Sequence, residues 1–359
     1  MEPRRRILRA VARHLAPRGA AADGGGTTAA LLDIDTSHAP SLERHGSRDP
    51  VPPEIERITP AMSNLELRRQ FEAEGFVHIK GLFSPAEARQ MERELVHFID
   101  DVLPTSSVGA YYHDEADPST VFQIDTMADE PYFDTMMNGG RGESKVNDVV
   151  EVLFGERAVG LVHFFNRIPG EEGSHDTPPH QDAAYSSQLC TAWVAVDPAD
   201  EVRPAARHGL SARTILTQLW RAQENGCMRY SIGSHLRDLP GLPVGNGGGV
   251  RGTRPHPEGV PGFGLALSPK DYRAEDKETE RAMVAEPGDL IIHHPLTVHR
   301  ANGNKTSGAS ARQRRAVGCS YFAARDREEY ERINKNMHSK QRGGEQPTAD
   351  NTKVPDRLV

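Results

Sequence analysis

The sequence is poor in cysteine, in long apolar runs and in excess basic charge. Its three cysteines, Cys190, Cys227 and Cys319, are an odd number in a chain of 359 residues. This argues against a disulfide framework and predicts reduced thiols in the core. No stretch approaches the roughly 20 apolar residues that cross a bilayer, so no membrane-spanning helix is predicted. The 43 Lys and Arg against 51 Asp and Glu give a net charge of −8, which argues against a nucleic-acid-binding surface.

The length of the chain suits one large domain with tails, or at most two domains. Residues 1–60 are predicted to form a disordered or targeting arm, because their later part is rich in Pro and charge and has no periodicity. Folded structure is expected over residues 61–335, followed by a polar tail over residues 336–359. The sequence does not indicate an oligomeric state.

Two capping boxes mark the starts of predicted helices near the beginning of the folded part. Ser63 with Glu66, and Ser84 with Glu87, have the spacing at which a hydroxyl and a carboxylate satisfy free amides at a helix start. The first of these helices is predicted to end at Gly75, since glycine is the preferred residue just beyond a helix.

Two short stretches, Pro179–Tyr185 and His293–His299, carry the residues best suited to chemistry. Residues i and i+2 of an extended strand point to the same face, so His180 and Asp182 can present a nitrogen and an oxygen to one point. His299, from a distant strand, would complete a set of two His and one carboxylate. Such a set leaves three octahedral positions for a cosubstrate and dioxygen, as in non-haem Fe(II) oxygenases. A single His-x-Asp motif arises by chance, so the prediction depends on its context.

That context is a series of short runs of β-branched and aromatic residues separated by Gly and Pro turns. Such runs favour an antiparallel sandwich or barrel with the candidate ligands at strand ends. Beyond His299 an arginine-rich segment leads into a final alternating strand. A planar guanidinium binds a carboxylate through two parallel hydrogen bonds, and Arg312, Arg314 and Arg315 are all candidates for this role.

Together these features resemble the phytanoyl-CoA dioxygenase family of Fe(II)/2-oxoglutarate-dependent oxygenases over roughly residues 61–325. The resemblance also includes the motifs Gly75-Phe76-Val77, Glu224-Asn225-Gly226-Cys227, Gly233-Ser234-His235 and Pro287-Gly288-Asp289. It implies a mainly β fold with flanking helices, namely a double-stranded β-helix, which is a cupin-like jelly roll.

The resemblance also implies the roles of individual residues. His180, Asp182 and His299 are expected to be the iron ligands. Arg314 opens the family's Arg-x-Ala-aliphatic pattern and is expected to hold the distal carboxylate of 2-oxoglutarate, with Arg312 and Arg315 as rivals. Three further contacts to the ligands or the cosubstrate are expected, or alternatively only packing or strand-end roles: Gln181, Trp193 and Asn302.

The function expected from this resemblance is hydroxylation of an aliphatic C–H bond of a small molecule, an acyl-CoA or a secondary metabolite. The reaction would consume O2 and 2-oxoglutarate and release succinate and CO2. Two alternatives remain open at this point. One is a zinc-type hydrolase that uses the same metal face to activate water, and the other is a non-catalytic jelly-roll binding protein.

Residues 202–223 are atypical because they separate two segments that directly follow each other in the family pattern. They are either a real helix, with Ser211 as a candidate cap, or a retained intron, since Val202 and Gln223 are compatible with splice-site codons. A peptide from within this segment in mass spectrometry of the native protein would exclude the intron.

The N-terminal residues 1–20 hold six Arg and one acidic residue, a composition that resembles a mitochondrial presequence. Arg6-Ile7 and His14-Leu15 also resemble the peroxisomal signal of the family's founding member, although the pairs lie one residue further apart here. A tail without a targeting role is the third alternative, and the compartment predicted for the protein is the cytoplasm.

Overall fold

The computed structural model describes residues 62–106, 108–127, 130–170, 176–186, 188–201, 224–238, 251, 253–255 and 265–339. The predicted N-terminal arm, the atypical segment 202–223 and the C-terminal tail beyond residue 339 lie outside these residues. Within the described ranges, no helix is both long and apolar enough to cross a membrane.

The strands are β1 (Phe76–Ile79), β2 (Ala110–Tyr112), β3 (Val121–Ile124), β4 (Val159–Arg167), β5 (Thr177–His180), β6 (Cys190–Ala195), β7 (Met228–Ser231), β8 (Thr253–Pro255), β9 (Leu265–Leu267), β10 (Glu280–Ala282), β11 (Leu290–His293), β12 (His299–Ala301) and β13 (Arg314–Phe322). The helices are α1 (Asn64–Glu74), α2 (Pro85–His97), α3 (Pro131–Asn138), α4 (Lys145–Phe154), α5 (Ala274–Glu278) and α6 (Arg327–Ser339).

Both predicted capping boxes are present at the starts of α1 and α2. The Ser63 hydroxyl accepts a hydrogen bond from the Glu66 amide, and the Glu66 carboxylate accepts one from the Ser63 amide. Ser84 and Glu87 make the same pair of bonds. Helix α1 ends at Gly75, whose φ of +83° lies in the left-handed region that favours glycine. These caps confirm the two helix starts and the first helix end.

Two antiparallel sheets form the body of the fold. The large sheet has the strand order β1-β11-β6-β13-β4-β3-β2, the small sheet has the order β10-β7-β12-β5, and β8 pairs with β9. The sheets meet where Tyr230 of β7 stacks on Phe76 of β1, with ring centroids 5.0 Å apart. Two antiparallel sheets with flanking helices confirm the predicted jelly-roll architecture.

The pleat of the large sheet separates two apolar layers. Alternate residues point to opposite faces, so Val162 and Val317 pack with the helices while Trp193 and Ile291 pack towards the small sheet. Residues of α2 such as Met91 are fully buried in the helix-side layer. The three cysteines are buried and unpaired, as predicted.

The chain on either side of residues 202–223 is held together by side chains. The Asn225 amide donates to the carbonyl of Pro198 at 2.7 Å and accepts from the Asp200 amide at 2.7 Å. Arg229 contacts both Glu201 and Glu224 through one nitrogen, at 3.1 and 3.4 Å. These bonds join the described residues on either side of the segment directly to each other.

A buried pair of histidines connects α1 to the segment before β12. The rings of His235 and His294 lie 5.3 Å apart, and the His235 Nε2–H donates to the Glu72 carbonyl at 3.1 Å. Burial lowers the pKa of His235 to about 4. Burial and the neighbouring His235 lower the pKa of His294 to about 3. Both imidazoles are therefore neutral in the folded protein at neutral pH.

We expect the free energy of unfolding to fall as the pH drops below about 6.5, the ordinary histidine value. In that range the histidines of the unfolded chain bind protons, whereas His235 and His294 of the folded protein stay neutral. Their contribution to stability is therefore fully present above the unfolded-state pKa and is lost on acidification. Urea unfolding between pH 7.5 and 5 should show a pH slope that is shallower in His235→Gln, by up to about 1.4 kcal/mol per pH unit. The control is the exposed His97→Gln. Asp101 raises the pKa of His97, so removing this side chain should not make the slope shallower. A slope unchanged by His235→Gln would contradict the expectation.

Deleting residues 202–223 is expected to leave the fold intact, because Asn225 and Arg229 already hold the flanking chain together. The deletion variant should unfold cooperatively, with a midpoint within a few degrees of the full-length protein. Asn225→Ala should instead cost about 1–3 kcal/mol by leaving buried backbone groups unpaired. Thermal unfolding followed by circular dichroism measures both effects, and loss of cooperative unfolding in the deletion variant would refute the expectation.

Candidate metal centre

The small sheet aligns the two candidate histidines. His299 of β12 pairs directly with His180 of β5 on one side and with Tyr230 of β7 on the other. Strand β5 ends at His180, and Gln181 keeps an extended backbone (φ −127°, ψ 131°) before a short turn starts at Asp182. The predicted i, i+2 relation between His180 and Asp182 therefore holds, although the strand pairing itself stops at the histidine.

The three candidate ligands converge on one point. Oδ1 of Asp182 lies 3.5 Å from Nε2 of His180 and 3.4 Å from Nε2 of His299. One ligand atom from each residue lies within 4.8 Å of the others. Adjacent ligands of one transition-metal ion, each about 2.1 Å from it, are about 3 Å apart. Small movements would therefore bring all three atoms into one coordination sphere.

Backbone carbonyls fix the orientation of both imidazoles. Nδ1 of His180 donates to the carbonyl of Pro178, and Nδ1 of His299 donates to the carbonyl of Thr297, each at 2.9 Å. Each ring then carries its proton on Nδ1 and directs the lone pair of Nε2 towards Asp182. This is the usual arrangement of metal-binding histidines, in which the other ring nitrogen is held by a hydrogen bond.

The protonation states also suit a divalent cation. Burial would raise the pKa of Asp182, but the neighbouring His299 and a hydrogen bond from His293 hold it well below its ordinary value. Burial and the neighbouring His299 lower the pKa of His180. A metal site needs an ionised carboxylate and neutral imidazoles. The surroundings favour the ionised form of Asp182 and the neutral form of His180.

Three side chains that sequence reasoning missed hold the second carboxylate oxygen of Asp182. Oδ2 accepts hydrogen bonds from Nε2 of His293 at 2.9 Å, from Nε2 of Gln188 at 3.0 Å and from Oγ1 of Thr191. His293 and Thr191 are opposite each other on β11 and β6. Side chains alternate between the two faces of a sheet along each strand. This alternation along β6 and β11 could have placed Thr191 and His293 on the face of the large sheet that meets the small sheet.

The three candidate arginines lie in different surroundings. Arg312 pairs with Asp200 at 2.9 Å, and Arg315 pairs with Asp197 at 2.8 Å. Arg314 is 2% exposed and donates to the carbonyl of Gly226 at 2.6 Å. Its Nε has no hydrogen-bond partner among the described residues.

The three remaining predicted contact residues are Trp193, Gln181 and Asn302. The Trp193 ring lies 5.2 Å from the guanidinium carbon of Arg314, a cation–π distance. Gln181 accepts from the Arg251 amide at 3.0 Å and donates to the Leu296 carbonyl at 2.7 Å, so it anchors the segment between two ligands. Asn302 donates to Glu224 at 2.7 Å and accepts from Arg300, so its amide belongs to a network of protein groups.

Comparison with known proteins gives the same assignment as the motifs. The family model of phytanoyl-CoA dioxygenase matches residues 71–315, more than half of the chain. The chain belongs to the phytanoyl-CoA dioxygenase family. As a member of this family it is a 2-oxoglutarate-dependent dioxygenase.

Curated relatives of this dioxygenase are distant in sequence. Peroxisomal phytanoyl-CoA dioxygenase of Bos taurus is 22% identical over 291 residues, which cover 73% of this chain and 69% of the relative. A probable phytanoyl-CoA dioxygenase of Caenorhabditis elegans is 27% identical over 188 residues, which cover 49% and 47% of the two chains.

Similar solved structures include the epimerase SnoN in complex with Fe3+, alpha ketoglutarate and nogalamycin RO. It is 20% identical with a TM-score of 0.46, and the alignment covers 73% of this chain and 84% of SnoN. EctD of S. alaskensis in its apo form is 13% identical with a TM-score of 0.49, with coverage of 73% and 77%.

Replacing a candidate ligand is expected to remove metal binding without unfolding this family member. His180→Ala should lower the affinity for Fe(II) by more than about 100-fold, because it removes one of the three proposed ligands. Anaerobic Fe(II) titration of the purified protein measures the change, with circular dichroism to verify the fold. His97→Ala, at an exposed position, is the matched control, and unchanged Fe(II) affinity in His180→Ala would exclude this residue as a ligand.

Proposed function

We propose that this dioxygenase binds Fe(II) through His180, Asp182 and His299 and binds 2-oxoglutarate through Arg314. It hydroxylates an aliphatic C–H bond of a small molecule, consumes O2 and releases succinate and CO2. The observation that carries the proposal is the convergence of two oriented imidazoles and one ionised carboxylate on a single point.

The donor set fits ferrous iron. Two neutral imidazoles and one carboxylate on one side of an ion leave open positions on the other side, which is the facial arrangement of non-haem Fe(II) oxygenases. When bound, iron and 2-oxoglutarate supply the oxidising power for C–H cleavage, and the protein supplies position and exclusion of water. The burial of His180 and His299, each 4% exposed, supports such a water-poor site.

Arg314 fits the distal carboxylate of 2-oxoglutarate because it is a buried cation that lacks a carboxylate partner among the described residues. Burial lowers its pKa to about 10, so the guanidinium is charged at neutral pH. Arg167 pairs with it across β4 and β13, and burial together with Arg314 lowers the pKa of Arg167 to about 9. Two guanidinium groups on directly paired residues favour an anion between them, since like charges with little water around them repel each other.

Trp193 and Gln181 support these groups from two sides. The Trp193 ring packs beside Arg314 and limits the directions that the guanidinium can take. Gln181 fixes the backbone between His180 and Asp182 through its two hydrogen bonds. We assign Asn302 a more distant part, in which its bond to Glu224 stabilises the chain just after β12.

The substrate is proposed to lie along the face of the large sheet that meets the small sheet. Beyond Thr191 this face carries polar groups on β2, β3 and β4. Tyr111 donates to the Asp125 carboxylate at 3.0 Å, the Gln123 amide donates to the same group at 3.2 Å, and His163 bonds to the Asp125 carbonyl at 2.7 Å. Oε1 of Gln123 has no partner among the described residues. The Asp125 carboxylate and Oε1 of Gln123 are hydrogen-bond acceptors. They suit a substrate with hydrogen-bond donors, which an acyl-CoA or a secondary metabolite can provide.

The alternatives account for less of the structure. A zinc-type hydrolase has no need of Arg314, and a non-catalytic binding protein has no need of two histidines oriented by backbone carbonyls. We propose the cytoplasm as the compartment, with a mitochondrial or peroxisomal location as the alternative. The peroxisomal alternative is supported by the name of the bovine relative.

Removing the proposed cosubstrate contact should mainly affect 2-oxoglutarate. We expect Arg314→Ala to raise the KM for 2-oxoglutarate by about 100-fold, since a buried charge pair loses one partner. Succinate release at increasing 2-oxoglutarate concentration, with Fe(II) and air, measures this. Arg312→Ala is the matched control, because that side chain already pairs with Asp200, and its KM should change only a few-fold. An unchanged KM in Arg314→Ala would remove the assignment.

A further inference from the structure

We propose that His293, itself held by Tyr230, is a positioning residue that makes Asp182 bind the metal through only one of its two oxygens. The inference rests on the proposed function, since it assumes that Asp182 is a metal ligand. It assigns a role to a third histidine that contacts the candidate ligand set without belonging to it.

For a neutral His293 ring, the hydrogen bonds around it have one consistent direction. An ionised carboxylate can only accept, so Nε2–H of His293 donates to Oδ2 of Asp182, at 2.9 Å. A ring that carries its proton on Nε2 accepts at Nδ1, so the Tyr230 hydroxyl donates there, at 3.1 Å. Tyr230 and His293 are 0% and 2% exposed, so little water competes for these two bonds.

Three donors occupy Oδ2 and leave Oδ1 for the metal. Besides His293, Gln188 donates at 3.0 Å and Thr191 donates through its hydroxyl. An oxygen that accepts three hydrogen bonds has no lone-pair direction left for an ion. Oδ1 instead lies 3.5 and 3.4 Å from Nε2 of His180 and His299. The two oxygens of Asp182 therefore have different roles: Oδ2 accepts hydrogen bonds from the protein, and Oδ1 is the proposed metal ligand.

Two of the three donors to Oδ2 are held in place by the large sheet. His293 and Thr191 lie on neighbouring central strands of the large sheet, where they pair directly. Tyr230 stacks between Phe76, at 5.0 Å, and His299, at 5.5 Å. The hydroxyl that orients His293 thus belongs to a ring packed against another candidate ligand. Rotation of the Asp182 carboxylate would break bonds to residues of the large sheet.

The consequence for the reaction is the number of positions left around the metal. A carboxylate bound through both oxygens would occupy one more position. If Asp182 supplied one oxygen and the two histidines one nitrogen each, three of six octahedral positions would stay open to the cosubstrate and O2. We infer that His293, Gln188 and Thr191 keep these three positions available.

The experiment compares His293→Phe with Tyr230→Phe. The first variant keeps a planar ring but removes the donor to Asp182, and the second removes only the oxygen that orients His293. The matched control is His78→Phe, because His78 makes a similar bond to Asp289, at 3.0 Å, elsewhere in the large sheet. Fe(II) and Co(II) dissociation constants are measured anaerobically without substrate, together with the Co(II) absorption spectrum.

We expect His293→Phe to weaken metal binding by about 10- to 100-fold, as for other groups that support a metal ligand. The Co(II) spectrum should change in shape as the carboxylate reorients. Tyr230→Phe should change both in the same direction by a smaller factor, and His78→Phe should match the parent protein. Tyr230→Phe, which removes a single oxygen, keeps the test decisive if His293→Phe does not fold.

Two different results separate this inference from the proposed function. If the parent protein binds neither Fe(II) nor 2-oxoglutarate, the proposed function fails. If the parent protein binds both, and the His293 and Tyr230 variants keep its affinity and its Co(II) spectrum, only the positioning role of His293 is overturned.

Discussion

The carboxylate of Asp182 is the group through which the candidate centre is tied to both sheets. One of its oxygens faces Nε2 of His180 and His299, and the other accepts hydrogen bonds from His293 and Thr191. A buried carboxylate is stable only when such bonds and neighbouring positive charge compensate its lost hydration. The charge that is proposed to bind the metal therefore also restrains how the two sheets pack.

A second buried charge, on Arg314, is the one proposed to hold the cosubstrate. Arg314 and Arg167 lie next to each other on paired strands, and burial lowers the pKa of both. Like charges with little water around them repel each other. An anionic cosubstrate would offset this repulsion, which supports the proposed role of Arg314.

Much of the fold could be predicted because its signals are local. The capping boxes at Ser63 and Ser84 depend on four consecutive residues, and the end of α1 depends on Gly75. Sheet membership followed from alternation and from turn residues. The supporting residues of the site could not be predicted in the same way. His293 reaches Asp182 across a sequence separation of 111 residues. Gln188 is only six residues from Asp182, but it lies outside the strands and helices, where no periodicity predicts the direction of a side chain.

By itself, the sequence determined which chemistry was available. It supplies two histidines and a carboxylate at predicted strand ends, followed by arginines, and these residues lie in the motifs of one family. Only the tertiary structure decided how those groups are used. Arg312, Arg314 and Arg315 are all candidates in sequence, with Arg314 preferred only through the family pattern. The fold places Arg312 and Arg315 beside Asp200 and Asp197 and leaves Arg314 buried next to a carbonyl. The physical reason is that charge pairing and desolvation depend on distance in space, which is set when the sheets close.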